Sequence, residues 1–181
     1  MIKILLAFAC LIADHASHFT LDSLGRLAAN AGWEIAELSD SWIAKELSLL
    51  AGVGRASAQT GVARAGSLAR IRAQISWLAR FVECAQQAAD HAPSFGLFGS
   101  SIAASWLTAA MGERVRFFVE EDAARVGRTH LGRPILSPAQ VSRESVVYLA
   151  LIPRIAARIF ERLGSSIDLR QPPPLSEGTH G

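Results

Sequence analysis

The chain has 181 residues, 50% of them hydrophobic and 19% charged, enough apolar material for one ordinary domain or two small ones. A formal net charge of +2, with the arginines spread along the chain, excludes a nucleic-acid binder driven by bulk electrostatics. Cys10 and Cys84 lie far apart with no metal-ligand neighbours, and read as small buried apolar residues of a reducing compartment.

The first segment, Met1-Ile-Lys-Ile-Leu-Leu-Ala-Phe-Ala-Cys-Leu-Ile12, is an apolar run behind one lysine. It is too short to span a bilayer as a helix, and it passes into Ala13-Asp-His-Ala-Ser-His18 with no polar spacer. Residues 4–12 are therefore read as a central strand, apolar on both faces, of a cytoplasmic protein. Export, with the run acting as a signal, is the alternative. No other segment is long and apolar enough to cross a membrane.

Thr20 suits the N-cap of a helix that begins at Leu21 and is lined by Leu21, Leu24, Leu27 and Ala28, with Gly32 at its C-terminal cap. Residues 34–38 alternate as a half-buried strand does, and residues 45–50 are the expected partner strand. The Gly-, Ala- and Ser-rich residues 52–66 read as a linker. A long amphipathic helix follows from Ser67 to about Asp90, on the stripe Leu68, Ile71, Ile75, Leu78 and Val82.

The most informative stretch is Phe95-Gly-Leu-Phe-Gly-Ser-Ser-Ile102, an apolar strand running into a glycine-bearing turn. A small-residue helix over 100–111 and a second strand ending in Val119-Glu-Glu-Asp122 complete a β-α-β unit. Gly96 and Gly99 either let a ligand approach the backbone or serve tight packing. Ser100 and Ser101 would offer hydroxyl and amide donors there, and Glu120 and Glu121 would suit a ribose hydroxyl. An acidic turn that is simply solvated is the other reading of those acids. Residues 123–138 read as loop, residues 145–151 as a buried strand, and Pro153 as the first turn of a helix to Leu163, lined by Ile155, Ile159 and Leu163. The proline-rich tail is expected to be disordered. No metal site is expected.

Two groups of residues carry a family resemblance. Ile12-Ala-Asp-His-Ala-Ser-His-Phe-Thr-Leu-Asp-Ser-Leu24 with Ala31-Gly-Trp-Glu-Ile35 resembles a segment of sugar C-methyltransferases, class I enzymes dependent on S-adenosylmethionine. Phe95-Gly-Leu-Phe-Gly-Ser-Ser-Ile-Ala-Ala-Ser-Trp-Leu107, Val119-Glu-Glu-Asp122 and Gly132-Arg-Pro-Ile135 resemble the Rossmann-like C-terminal domain of the same group. The resemblance implies His15 as the base that removes a proton beside a carbonyl, and Asp14 as its orienting acid. Residues 1–11 hold no glycine, so the family's cofactor-holding Gly-rich loop has no counterpart before Ile12.

The expected fold class is α/β: a Rossmann-like parallel-sheet domain at 67–168, preceded at 1–51 by the closing strands and helix of an incomplete methyltransferase sheet. Residues 52–66 link the two and residues 169–181 form the tail. The expected function is that of the C-terminal part of an S-adenosylmethionine-dependent C-methyltransferase, inactive alone and completed by a partner chain that supplies the N-terminal half. S-adenosylmethionine is implied by resemblance only and is not expected to bind tightly to this chain. The alternatives are a module that binds a nucleotide or nucleotide-linked sugar, and a structural subunit of a split enzyme. Neither nucleic acid nor membrane is an expected partner.

Overall fold

The structure, a computed structural model, describes residues 17, 19–43, 46–54 and 64–175. The strand expected at 4–12 and the pair Asp14 and His15 lie outside the described residues, as does most of the expected linker. The chain divides into two compact units, Met1–Ile75 and Ser76–Gly181.

In the first unit, helix α1 (Leu21–Asn30) begins at Thr20 with a reciprocal capping box. The Thr20 hydroxyl accepts from the Ser23 amide at 3.2 Å, and the Ser23 hydroxyl accepts from the Thr20 amide at 2.8 Å. Gly32, at φ +84°, reverses the chain after the helix, as its place in the sequence predicts. Strands β1 (Trp33–Ser39) and β2 (Ser48–Val53) then form an antiparallel hairpin. The second strand starts three residues later than expected. A register shift between Ile35 and Glu37 breaks the strict alternation. The helix buries Asp22, Gly25 and Ala28 rather than its leucine stripe, and Leu27 is exposed. Gly25 lets the hairpin come close, since a side chain there would meet Leu38 at 2.8 Å.

Helix α2 (Arg64–Asp90) carries the boundary between the units. The second unit holds strands β3 (Ser94–Phe98), β4 (Val115–Val119), β5 (Thr129–His130), β6 (Arg133–Leu136), β7 (Ser145–Leu149) and β8 (Asp168–Arg170). Helix α3 (Ile102–Met111) joins β3 to β4, and α4 (Pro153–Leu163) joins β7 to β8. The six strands lie in the order β5-β6-β4-β3-β7-β8, parallel except for the antiparallel β5–β6 edge. The fold is therefore α/β, as expected, with a mixed rather than wholly parallel sheet.

Burial explains the sheet. Every residue of β7 is buried, and β3 is buried from Phe95 to Phe98, the mark of central strands covered on both faces. One core joins Phe98, Phe117, Val119, Val147 and Leu149 to Ala156 and Ile159 of α4. A separate aromatic group forms where α2 meets the sheet. The ring of Phe81 stacks on Trp77 at 5.1 Å and meets Tyr148 edge-on at 5.4 Å. Inside the second unit α2 buries Trp77, Leu78, Phe81 and Ala85, so of the expected stripe Leu78 is buried and Val82 half-buried, while Ile71 and Ile75, in the first unit, are exposed. In α4 the core residues are Ala156 and Ile159, while Ile155 is exposed.

Two further expectations are corrected. The stretch 123–138 is not loop throughout: it holds the β5–β6 hairpin, whose turn places Leu131 at φ 49° and Gly132 at φ 74°. Arg133 braces this hairpin, donating to the carbonyls of Val115 at 2.6 Å, Gly112 at 2.9 Å and Leu131 at 3.1 Å. The ordered chain also runs past residue 168, since β8 extends to Arg170 and Pro172 and Pro173 are buried.

Candidate functional site

In open α/β sheets a ligand crevice forms beyond the carboxyl ends of the strands, where successive connections leave in opposite directions. Here the chain runs from β3 outward through β4 to β6, then returns to the other side of β3 for β7 and β8. The reversal falls between β3 and β7. The turn Gly99-Ser100-Ser101, which follows β3 and opens α3, stands at that point.

Gly99 is held at φ +95°, a conformation that glycine adopts readily and other residues do not. Its amide donates to the Val119 carbonyl at 2.8 Å, which ties the turn to the end of β4. A side chain at Gly99 would stand 3.6 Å from Leu151, so space remains and backbone geometry is the constraint. Gly96 is different. It lies inside β3, where a side chain would meet the Phe117 ring at 2.3 Å, so its role is packing and it does not face the crevice.

The end of β4 supplies the acids. Glu120 reaches back to the turn after β3, and its Oε1 accepts from the Ser100 amide at 2.8 Å and the Ser100 hydroxyl at 2.6 Å. Arg125 donates to the Ser100 hydroxyl at 2.8 Å and approaches the same carboxylate oxygen at 3.5 Å. Arg125 also pairs with Asp122 at 3.6 Å, and Asp122 accepts from the Ala124 amide at 2.9 Å. The Glu120 side chain is 16% exposed, whereas those of Arg125 and Asp122, at 51% and 55%, face solvent, so Glu120 alone of the three is drawn out of water. Among the described residues no donor reaches Oε2 of Glu120.

Glu121 points elsewhere. It forms a two-point pair with Arg162 in the last turn of α4, and this bonding raises the Arg162 guanidinium further above its ordinary range. Ser101 caps α3 without a side-chain hydrogen bond. The structure thus brings together Gly99, Ser100, Ser101 and Glu120, and separates Gly96 and Glu121 from them.

One participant, and one further polar contact away from it, escaped the sequence reading. Arg125 was hidden in a stretch read as loop; an arginine five residues beyond the acid is the signal that could have found it. His130, in β5, meets the Ser105 hydroxyl of α3 at 2.9 Å, with its ring edge-on to Phe118. Among the described residues no group of three histidine, cysteine, aspartate or glutamate side chains is placed to hold a metal ion, and no helix is long and apolar enough to cross a membrane.

Compared with protein-family models, with curated proteins and with solved structures, the chain matches none.

Proposed function

We propose that the second unit recognises the sugar of a nucleoside or nucleotide-linked sugar, as part of a protein resembling the C-terminal portion of S-adenosylmethionine-dependent C-methyltransferases. The observation that carries this reading is the Glu120 carboxylate at the carboxyl end of the strand beside β3, next to a positive-φ glycine turn at the reversal of strand order. An acid in that position accepts sugar hydroxyls in dinucleotide-binding sheets of this topology. Oε1 is held by the Ser100 turn and by Arg125, which leaves Oε2 to accept from a ligand hydroxyl.

The family resemblance extends the reading to C-methylation, with His15 as base and Asp14 as its orienting acid. S-adenosylmethionine follows from that resemblance alone: the described glycine-bearing strand-to-helix turn, at Gly99, is the one we assign to the sugar. We therefore assign this chain to sugar recognition and the methyl donor to the N-terminal half that the resemblance implies. A purely structural subunit is the competing reading.

Calorimetric titration with a panel of nucleosides, nucleoside diphosphates and nucleotide-linked sugars tests the proposal. It expects at least one stoichiometric site, weakened at least tenfold by Glu120→Gln in a folded protein. Binding unaffected by that change places the site elsewhere, and no binding across the panel favours the structural subunit.

A further inference from the structure

The donors of a glycine turn at a helix N-terminus are the usual seat of a phosphate. In this chain they already hold an anion of the protein's own. The Ser100 amide and hydroxyl both donate to Glu120 Oε1, at 2.8 and 2.6 Å, and Arg125 supplies the nearby positive charge. The Gly99 amide is spent on the Val119 carbonyl. A phosphate arriving at this turn would have to displace a carboxylate that is mostly buried, or sit against it. Arg125 offers little help, because it is shared between Glu120 and Asp122. Two carboxylates against one guanidinium leave the immediate surroundings negative, and the repulsion is strongest at Glu120, the one of the two that is largely shielded from water.

We infer that Glu120 is a selectivity device: it fills the anion cradle of the Gly99-Ser100 turn, so that this end of β3 takes the uncharged hydroxyl edge of a ligand and rejects a phosphate. The inference rests on the sugar-recognition reading for the identity of the ligand, but the filled cradle makes a separate forecast. Removing the carboxylate converts the turn into a phosphate site. The Ser100 donors are then free to receive an external anion, with Arg125, still paired to Asp122, beside them.

The probe is inorganic phosphate, with sulfate as a second anion of similar shape, added to the full chain while thermal unfolding and direct titration are followed. The parent protein should show no saturable binding up to about 10 mM, while Glu120→Ala should bind phosphate with a dissociation constant at least tenfold below that ceiling. Ser100→Ala in the Glu120→Ala background should abolish the gain. If Glu120→Ala fails to fold, Glu120→Gln keeps an acceptor for the Ser100 donors without the charge, and should gain the same binding more weakly. Saturable phosphate binding by the parent that Ser100→Ala removes would overturn the inference, as would folded variants that gain none. A gain of phosphate binding in the variant, with no nucleoside or nucleotide-linked sugar bound by the parent, would sink the sugar reading and leave the filled cradle standing.

Discussion

The indole N–H of Trp77 donates to the carbonyl of Pro173 at 2.9 Å, a bond across 96 residues that ties the chain beyond β8 to helix α2. Trp77 is 2% exposed and stacks on Phe81, so its nitrogen has no route to water and needs a partner. Proline at 172–174 holds the segment extended and presents the carbonyl without a competing amide donor. Trp77→Phe is expected to lower stability by about 2 kcal/mol, from the lost bond and the lost ring volume. It should also speed amide exchange at Leu169. Urea denaturation and hydrogen exchange measure both, and unchanged values would mean that the tail is not held this way.

The two glycines of the β3 motif should respond differently. Gly96→Ala drives a methyl group into the buried Phe117 ring and is expected to cost about 3 kcal/mol, partly recovered by adding Phe117→Leu. Gly99→Ala has room for the methyl group but holds it at φ +95°, and is expected to cost about 1 kcal/mol. Chemical denaturation of the three variants decides the matter. A larger loss for Gly99→Ala than for Gly96→Ala would contradict the assignment of Gly96 to packing.

Tyr148 is the single tyrosine of the chain, and its hydroxyl donates to the Phe81 carbonyl at 3.0 Å. Burial first, and the neighbouring Cys84 thiol second, hold its phenol well above the ordinary range. In the unfolded chain the phenol ionises near pH 10, whereas the folded one stays protonated there. The stability it contributes is therefore complete below about pH 10 and is lost as pH rises above it, at about 1.4 kcal/mol per pH unit. Tyr148→Phe should lose about 1 kcal/mol at neutral pH and should lack this part of the alkaline decline. Parallel unfolding curves for the two proteins above pH 10 would contradict the account.

Leu131 occupies the first turn position of the β5–β6 hairpin at φ 49°, where asparagine or glycine is preferred, and it is 53% exposed. Little packing is lost when it changes. Leu131→Asn is expected to raise stability by about 0.5 kcal/mol, readable as a higher melting temperature, and a drop would show that the leucine is held by contacts that its exposure conceals.

Strands β3, β4 and β7 were legible because short, mostly apolar runs between turn signals have few other fates. The capping of α1 by Thr20 and the start of α4 at Pro153 were legible for local reasons of the same kind. The β5–β6 hairpin was not, because two- and four-residue strands leave no periodic signal and Pro134 reads as a breaker. It is tolerated on the short edge pair, opposite Thr129. At the site, the residue types were legible and their partners were not. The motif put Ser100 and Glu120 at the ends of two successive strands; the bond between them joins residues 20 apart, which no local pattern encodes. Gly96 and Gly99 look alike in sequence; the Phe117 ring beside Gly96 and the positive φ of Gly99 separate packing from turn geometry.

The central claim is that the end of β3, with Glu120, is where a sugar-bearing ligand is held. Its most direct measurement is a two-dimensional amide NMR titration of the isotope-labelled chain with uridine diphosphate glucose, thymidine diphosphate glucose and adenosine, each to 5 mM. The account expects at least one of them to give saturable shifts that are largest at Gly99, Ser100, Ser101 and Glu120, and lost in Glu120→Gln. Shifts centred on other residues, or none with any of the three compounds, would contradict it.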